Sequence, residues 1–306
     1  VNNSAAIFLI VIPVILFMSC KKEETVVPAV RTLKIAVVSD PHYYDPSLGT
    51  TGEAFEAALS GDRKMLGDSK AIFEEAISEI KMSDAEVVLL CGDLTKDGER
   101  INHEKVAFYL SQLSSAGKKV FVVPGNHDIN NPHASQYSGK VVTPVPGLNP
   151  SGFEQVYAAF GFQNAISKDP NSLSYVAEAA PGYWILAMDA CRYPENTGTS
   201  SKTGGRFSAG TLSWILSKLD EAKKNGITVI GMMHHGLTEH FTGQSELFPD
   251  YVVEDWKNIS AAFADRGLKL VFTGHYHAQD ITRAAGTGSN FLLDCETSSL
   301  VTSPCA

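Results

Sequence analysis

Short apolar runs recur along the chain, and their downstream ends turn abruptly polar. Leu33–Val38, Glu86–Cys91 and Val120–Val123 are rich in β-branched and aliphatic residues and read as strands. Between the first two, Ala71–Met82 sets Ile72, Phe73, Ala76, Ile77 and Ile80 at helical spacing, and a second helical stretch covers about 102–115. This β-α-β-α-β alternation predicts an α/β sheet with helical crossovers. The rhythm breaks from Ile129 to about Asn196, which is rich in Pro, Gly, Asn and Ser as far as about residue 152. A short helix near Phe153–Phe160 and strands at Leu173–Ala177 and Tyr183–Met188 follow. The stretch 129–205 is therefore expected to be an insertion that overhangs a site and shapes access to it; a solvent-exposed excursion is the alternative. Regular order returns with a helix at Ala209–Lys224, a strand at Ile227–Met233, a helix at about Val253–Ala264 and a strand at Leu268–Thr273. A closing meander covers 279–283 and 291–294.

The N-terminal stretch has a different pattern. Ala5–Met18 is a 14-residue uncharged run, too short to span a bilayer comfortably, followed by Ser19-Cys20 and Lys21-Lys22-Glu23-Glu24. It reads as a signal peptide (1–19), and its Met-Ser-Cys ending resembles the lipobox of bacterial lipoproteins. That resemblance implies cleavage before Cys20, lipidation of that Cys, a tether over 20–32, and export to the cell envelope. The segment before the run carries no Lys or Arg, a departure from that pattern; an ordinary secretory signal or a short anchor is the alternative. The rest, 33–306, reads as one domain.

Composition narrows the function classes. With 44% apolar and 19% charged residues, the chain has material for a sizeable core. A net charge of −9 argues against stable nucleic-acid binding through a basic surface, yet leaves a nucleotide-type or other small phosphoester open, because bound cations reverse a local field. Four cysteines besides Cys20 show no C-x-x-C spacing. Cys91, on an apolar strand, reads as a buried small hydrophobe.

The chemistry lies at the strand ends. Five runs finish in Asp40-x-His42, Gly92-Asp93, Gly125-Asn126-His127-Asp128, His234-His235 and Gly274-His275-x-His277, which together hold six of the nine histidines. Asn-His-Asp alone can cap a helix or fill a turn, but ligands bind at the carboxyl ends of strands in open α/β sheets. Residues i and i+2 of an extended segment share a side, so each D-x-H or H-x-H pair can face one centre. Imidazoles with carboxylates suit Zn, Fe or Mn better than Ca or Mg.

This ordered set of blocks, from about Leu33 to His277, resembles the calcineurin-like metallophosphoesterase superfamily. The resemblance implies a four-layer α/β/β/α sandwich of two mixed sheets flanked by helices. It also implies two divalent or trivalent ions (Mn, Fe or Zn). Asp40, His42 and His277 would hold one, Asn126, His234 and His275 the other, and Asp93 would bridge them, with His235 left as a neighbour. Hydroxide held between the metals would attack phosphorus. His127 would donate a proton to the leaving group and Asp128 would orient it. Phosphodiester hydrolysis is the first expectation; a phosphomonoesterase, or an exported lipoprotein that binds a phosphorylated ligand without turnover, is the alternative. Many members have Pro after the His-His pair, where this chain has Gly236. Among the remaining residues, His103, His133 and His240 are expected to be solvated, Tyr43 and Tyr44 either pack or stack on a substrate ring, and Arg192 is a candidate for reaching a phosphate.

Overall fold

Two sheets meet face to face through a shared apolar layer. The computed structural model describes residues 32–302, so the expected leader, Cys20, the tether before Thr32, and Cys305 lie outside the described residues. In chain order, β1 (Ile35–Val38) leads through α1 (Glu53–Ser60) and α2 (Ser69–Met82) to β2 (Val87–Cys91), and through α3 (Arg100–Ser115) to β3 (Lys119–Val123). These three strands form a sheet in the order β1-β2-β3 with both pairs parallel. A hairpin of β4 (Ser135–Ser138) and β5 (Val141–Pro144) follows, then α4 (Pro150–Val156), started by Asn149, whose side chain accepts from the Gly152 amide.

The second sheet takes β6 (Ser167–Lys168), β7 (Tyr175–Ala180), β8 (Tyr183–Met188), β9 (Thr228–Met233), β10 (Leu270–Thr273), β11 (Asp280–Ala285) and β12 (Phe291–Glu296). Their spatial order is β11-β12-β10-β9-β8-β7-β6. Its centre is parallel, β8 to β9 to β10 to β12, and its edges are antiparallel. Helices α5 (Ala209–Lys224) and α7 (Trp256–Asp265) supply the crossovers, and a short helix α6 (Gln244–Leu247) sits in the loop after β9.

Strand β8 shows how the layers arise. Ile185 and Ala187 join the apolar cluster that also holds Leu89 and Val122 of the first sheet, with Phe73 of α2 and Leu110 of α3. Trp184, Leu186 and Met188 point the other way, into a second cluster with Ile215 and Leu219 of α5 and Phe263 of α7. Period-2 alternation in a strand that is apolar on both faces places one layer on each side. The layering is thus α/β/β/α, as expected. Two details differ from the sequence reading. The first sheet is purely parallel rather than mixed. Residues 167–188 are not part of an insertion, because β6–β8 continue the second sheet; the hairpin and α4 account for the irregular part.

Candidate active site

The strand ends are joined to one another by their own backbones. The amide of Asp40 donates to the Gly92 carbonyl at 3.1 Å, and the amides of His42 and Tyr43 donate to Asp93 and Leu94 at 3.0 and 3.1 Å. On the other side, the His275 amide donates to Asp40 Oδ2 at 3.0 Å. Gly125 lets the third turn pass close, since a Cβ there would stand 2.1 Å from the amide nitrogen of Asp93. Asp40, His42, Asp93, His275 and His277 all have φ between +36° and +77°. Left-handed backbone costs a non-glycine residue roughly 1–2 kcal/mol, so it persists where its surroundings over-determine it, and such residues cluster at functional sites.

These turns bring together three overlapping groups able to hold a cation: Asp40 with His42 and His277, His42 with Asp93 and His127, and Asp93 with His234 and His275. Asp93 Oδ2 stands at the centre, 3.3 Å from His234 Nε2, 3.7 Å from His42 Nε2 and 3.9 Å from His127 Nε2. His277 Nε2 lies 3.2 Å from Asp40 Oδ1 and 3.3 Å from His42 Nε2, and Asn126 Oδ1 lies 3.0 Å from His234 Nε2. Atoms bound about 2.1 Å from one ion at tetrahedral to octahedral angles stand roughly 3.0–3.4 Å apart, so the spacing fits cations. The outer partners agree. His234 Nδ1 faces the Cys91 carbonyl at 2.9 Å, His277 Nδ1 the Thr302 hydroxyl at 2.9 Å, and His275 Nε2 the Asp250 carbonyl at 3.1 Å. Each contact engages one ring nitrogen and aims the other inward, the arrangement usual around metal-binding histidines.

The protonation states also fit. Burial, aided by Lys64, lowers His42 well below its ordinary pKa, and burial with His235 does the same to His275. Both imidazoles are therefore neutral, the form that binds a cation. Burial pushes the Asp93 carboxyl up, but His234 and His127 outweigh it and hold Asp93 ionised. Burial lowers His234, yet Asp93 and Asp40 raise it to about 9, a charge that a cation on Asp93 would displace.

His127 is placed differently from the other histidines. It lines a cavity of about 160 Å³ over the cluster, and its Nδ1 is 2.9 Å from Asp97 Oδ1. Burial lowers its pKa, but Asp93 and Asp97 outweigh burial and Lys64 and raise it. This arrangement corrects the expected role of Asp128. Both oxygens of that carboxylate are engaged elsewhere, accepting from the amides of Leu94 (3.1 Å), Thr95 (3.0 Å) and Gly125 (2.8 Å) and from the Thr95 hydroxyl (2.9 Å). Asp128 ties the second strand end to the third, and Asp97 is the carboxylate that holds His127.

Sequence reasoning passed over Asp97 although it lies four residues after Asp93, within the same turn. It also passed over Arg63, Lys64, Tyr251 and Thr302, which line the cavity from loops without a motif. The Lys64 segment is pinned to the C-terminal stretch by a bridge between Lys64 and Thr302. Of the two readings of Tyr43 and Tyr44, packing holds: both are buried in the core and cannot reach a substrate ring. The readings of Arg192, His103 and His240 are corrected. Arg192 pairs with Glu195 and Glu254 at 2.6 and 2.8 Å. His103 is buried between the Tyr157 hydroxyl and the Asp128 carbonyl, each at 2.9 Å. His240 is enclosed beside Asp280, Glu296 and Asp294. His133 is exposed, as expected. Cys91 is buried, and Cys91, Cys191 and Cys295 form no disulfide among the described residues. A larger cavity of about 500 Å³, reaching from His240 to Arg283, shares no lining residue with this site.

The sequence model described as calcineurin-like phosphoesterase matches residues 33–279. No curated protein sequence matches the chain. Among solved structures, a dimetal phosphatase from Danio rerio superposes with a TM-score of 0.61 at 14% identity, covering 89% of each chain. A purple acid phosphatase from yellow lupin (Lupinus luteus) seeds superposes with a TM-score of 0.53 at 12% identity, covering 90% of this chain and 46% of the lupin one. At such identities the likeness is one of fold. With strand ends, metal-binding groups and matched residues coinciding, the chain belongs to the calcineurin-like phosphoesterases, metal-dependent hydrolases of phosphoesters.

Proposed function

We propose that this chain hydrolyses a phosphoester, a phosphodiester first and a phosphomonoester second, using two cations and His127. Asp40, His42 and His277 would hold one cation, Asn126, His234 and His275 the other, and Asp93 both. When bound, such a pair offers positive charge to the phosphoryl oxygens and lowers the pKa of water enough for hydroxide to attack phosphorus at neutral pH. The remaining steps fall to the chain's own groups. Nδ1–H of His127 donates to Asp97, which leaves Nε2 facing the cavity to protonate the departing alkoxide. Asp93 and Asp97 together favour the imidazolium that this step requires.

The observation that carries this reading is the central position of Asp93 Oδ2, within 3.3–3.9 Å of three imidazoles from three different strand ends. Preference for a diester comes from the family resemblance alone, in which the Asp40-x-His42 block leans away from the purple-acid-phosphatase branch. The test is reconstitution of chelator-stripped protein with Mn, Zn or Fe, followed by assay on bis(p-nitrophenyl) phosphate and p-nitrophenyl phosphate. Two metals per chain and restored turnover, faster on the diester, are expected. Two metals bound without hydrolysis of either ester would replace the enzyme with a binding protein, and faster monoester turnover would reverse the preference.

We also propose that the protein is exported and held at the membrane through a lipidated Cys20, supported by the apolar run before Ser19-Cys20. Expressed in a bacterial host with its leader, the parent should sediment with membranes and C20S should not; equal distribution of the two would end the anchoring proposal.

A further inference from the structure

The mouth of the metal cavity continues into an uncovered aromatic surface. Tyr251 lines the cavity, and its ring lies 4.7 Å from that of His275 at an interplanar angle of 35°. Tyr276 meets Tyr251 at 5.1 Å, Phe248 meets Tyr276 at 5.8 Å, and Phe241 lies 6.0 Å from Tyr276 and 6.2 Å from Phe248. Phe241 and Phe248 remain 39% and 42% exposed. Contiguous exposed rings beside a catalytic cavity mark a recognition surface more often than single exposed hydrophobics do.

The metal-binding turns themselves hold this surface in place. Tyr276 stands between His275 and His277 in the chain. The Gly236 amide donates to the Tyr251 carbonyl at 3.1 Å, and Val253 donates back to Gly236 at 2.9 Å. His275 Nε2 contacts the carbonyl of Asp250, next to Tyr251. The departure from the family pattern at Gly236 thereby acquires a consequence: proline has no N–H, so it could not make the bond that fixes Tyr251.

We propose that this shelf binds a planar aromatic group of the phosphoester, an aryl or heteroaryl ring such as a nucleobase, while the phosphoryl group occupies the cavity. The proposal rests on the reading of that cavity as a phosphoester site. Rings in tilted and edge contact present faces and edges to a further ring, and the two tyrosines add hydroxyls for its polar atoms. An acyl chain gains affinity from an enclosed aliphatic trough, whereas this surface is open and built of four rings. Tyr43 and Tyr44, packed in the core, take no part in this surface; its rings come from the loop after β9 and from Tyr276 inside the Gly274-His275-x-His277 turn.

The test uses metal-loaded protein and phosphonates, whose carbon–phosphorus bond resists hydrolysis, so that calorimetry reads binding alone. 1-Naphthylphosphonate should bind the parent more tightly than methylphosphonate or octylphosphonate. The double variant Phe241→Ala/Phe248→Ala removes two exposed rings. It should keep its metals, lose roughly 5- to 100-fold in naphthyl affinity, and bind methylphosphonate as the parent does. Equal parent affinities for naphthyl and methyl probes, an octyl probe as tight as the naphthyl one, or a variant that weakens all probes alike would each overturn the proposal. Ring-dependent binding in a protein that hydrolyses no ester would leave the shelf standing and remove the hydrolase reading. Hydrolysis without ring dependence would do the reverse.

Discussion

Replacing His127 by Ala lowers kcat by about 10²–10⁴-fold while both metals stay bound. The direction follows from position: the imidazole is held through Nδ1 by Asp97 and presents Nε2 to the cavity, 3.9 Å from the carboxylate at its centre. The size depends on the leaving group. A p-nitrophenolate leaves without much help, so an aryl ester should show the low end of the range; an alkoxide is a strong base, so an alkyl ester should show the high end. The measurement is kcat on one aryl and one alkyl ester, with metal content determined on the same samples. His127 also belongs to a group with His42 and Asp93 that could hold a cation. Loss of a metal in H127A would therefore make it a ligand, and an equal loss on both esters would remove the proton-donor role.

Much of this site was readable in the sequence, because each ligand follows an apolar strand and the six strand-end histidines far exceed a random scatter. The layering was readable for a similar reason: a run such as Tyr183–Met188, apolar at every position, is buried on both faces. What could not be read was how the ligands turn inward. Residues i and i+2 share a side only in extended backbone, whereas Asp40, His42, Asp93, His275 and His277 converge through left-handed φ values that side-chain identity does not announce. Asp97 was missed because a carboxylate in a polar turn looks like any solvated loop residue until the fold brings Asn126-His127 against it. Asp128 is the opposite case. It adjoins His127 in the chain, but neighbouring side chains in a turn diverge, and its carboxylate accepts from the amides of Leu94, Thr95 and Gly125 instead.

The pair Asp97 and Asp128 therefore separates catalysis from stability. Asp128→Ala leaves three backbone amides and the Thr95 hydroxyl without their acceptor in a fully buried setting. Each abandoned buried donor costs roughly 1–3 kcal/mol, and partial relaxation keeps the total near about 3–5 kcal/mol. For a chain of this size that corresponds to a fall in Tm of roughly 6–15 °C. Burial and Asp93 push the Asp128 carboxyl up to about 7. Charge carried by cations on Asp93 would relieve the second of these, so metal-loaded protein should hold the ionised, four-acceptor form more firmly. Asp97→Ala has a different signature. It removes the partner of His127 Nδ1 and should lower kcat roughly 10- to 100-fold, with a smaller fall in Tm than Asp128→Ala, since Asp97 accepts from the side chains of His127, Lys96 and Asn131 rather than from buried backbone amides, and side chains at the cavity rim can turn to water. Thermal unfolding and kcat measured on both variants, with and without metals, decide the matter: a D128A protein as stable as the parent, or a D97A protein as active, would return the orienting role to Asp128.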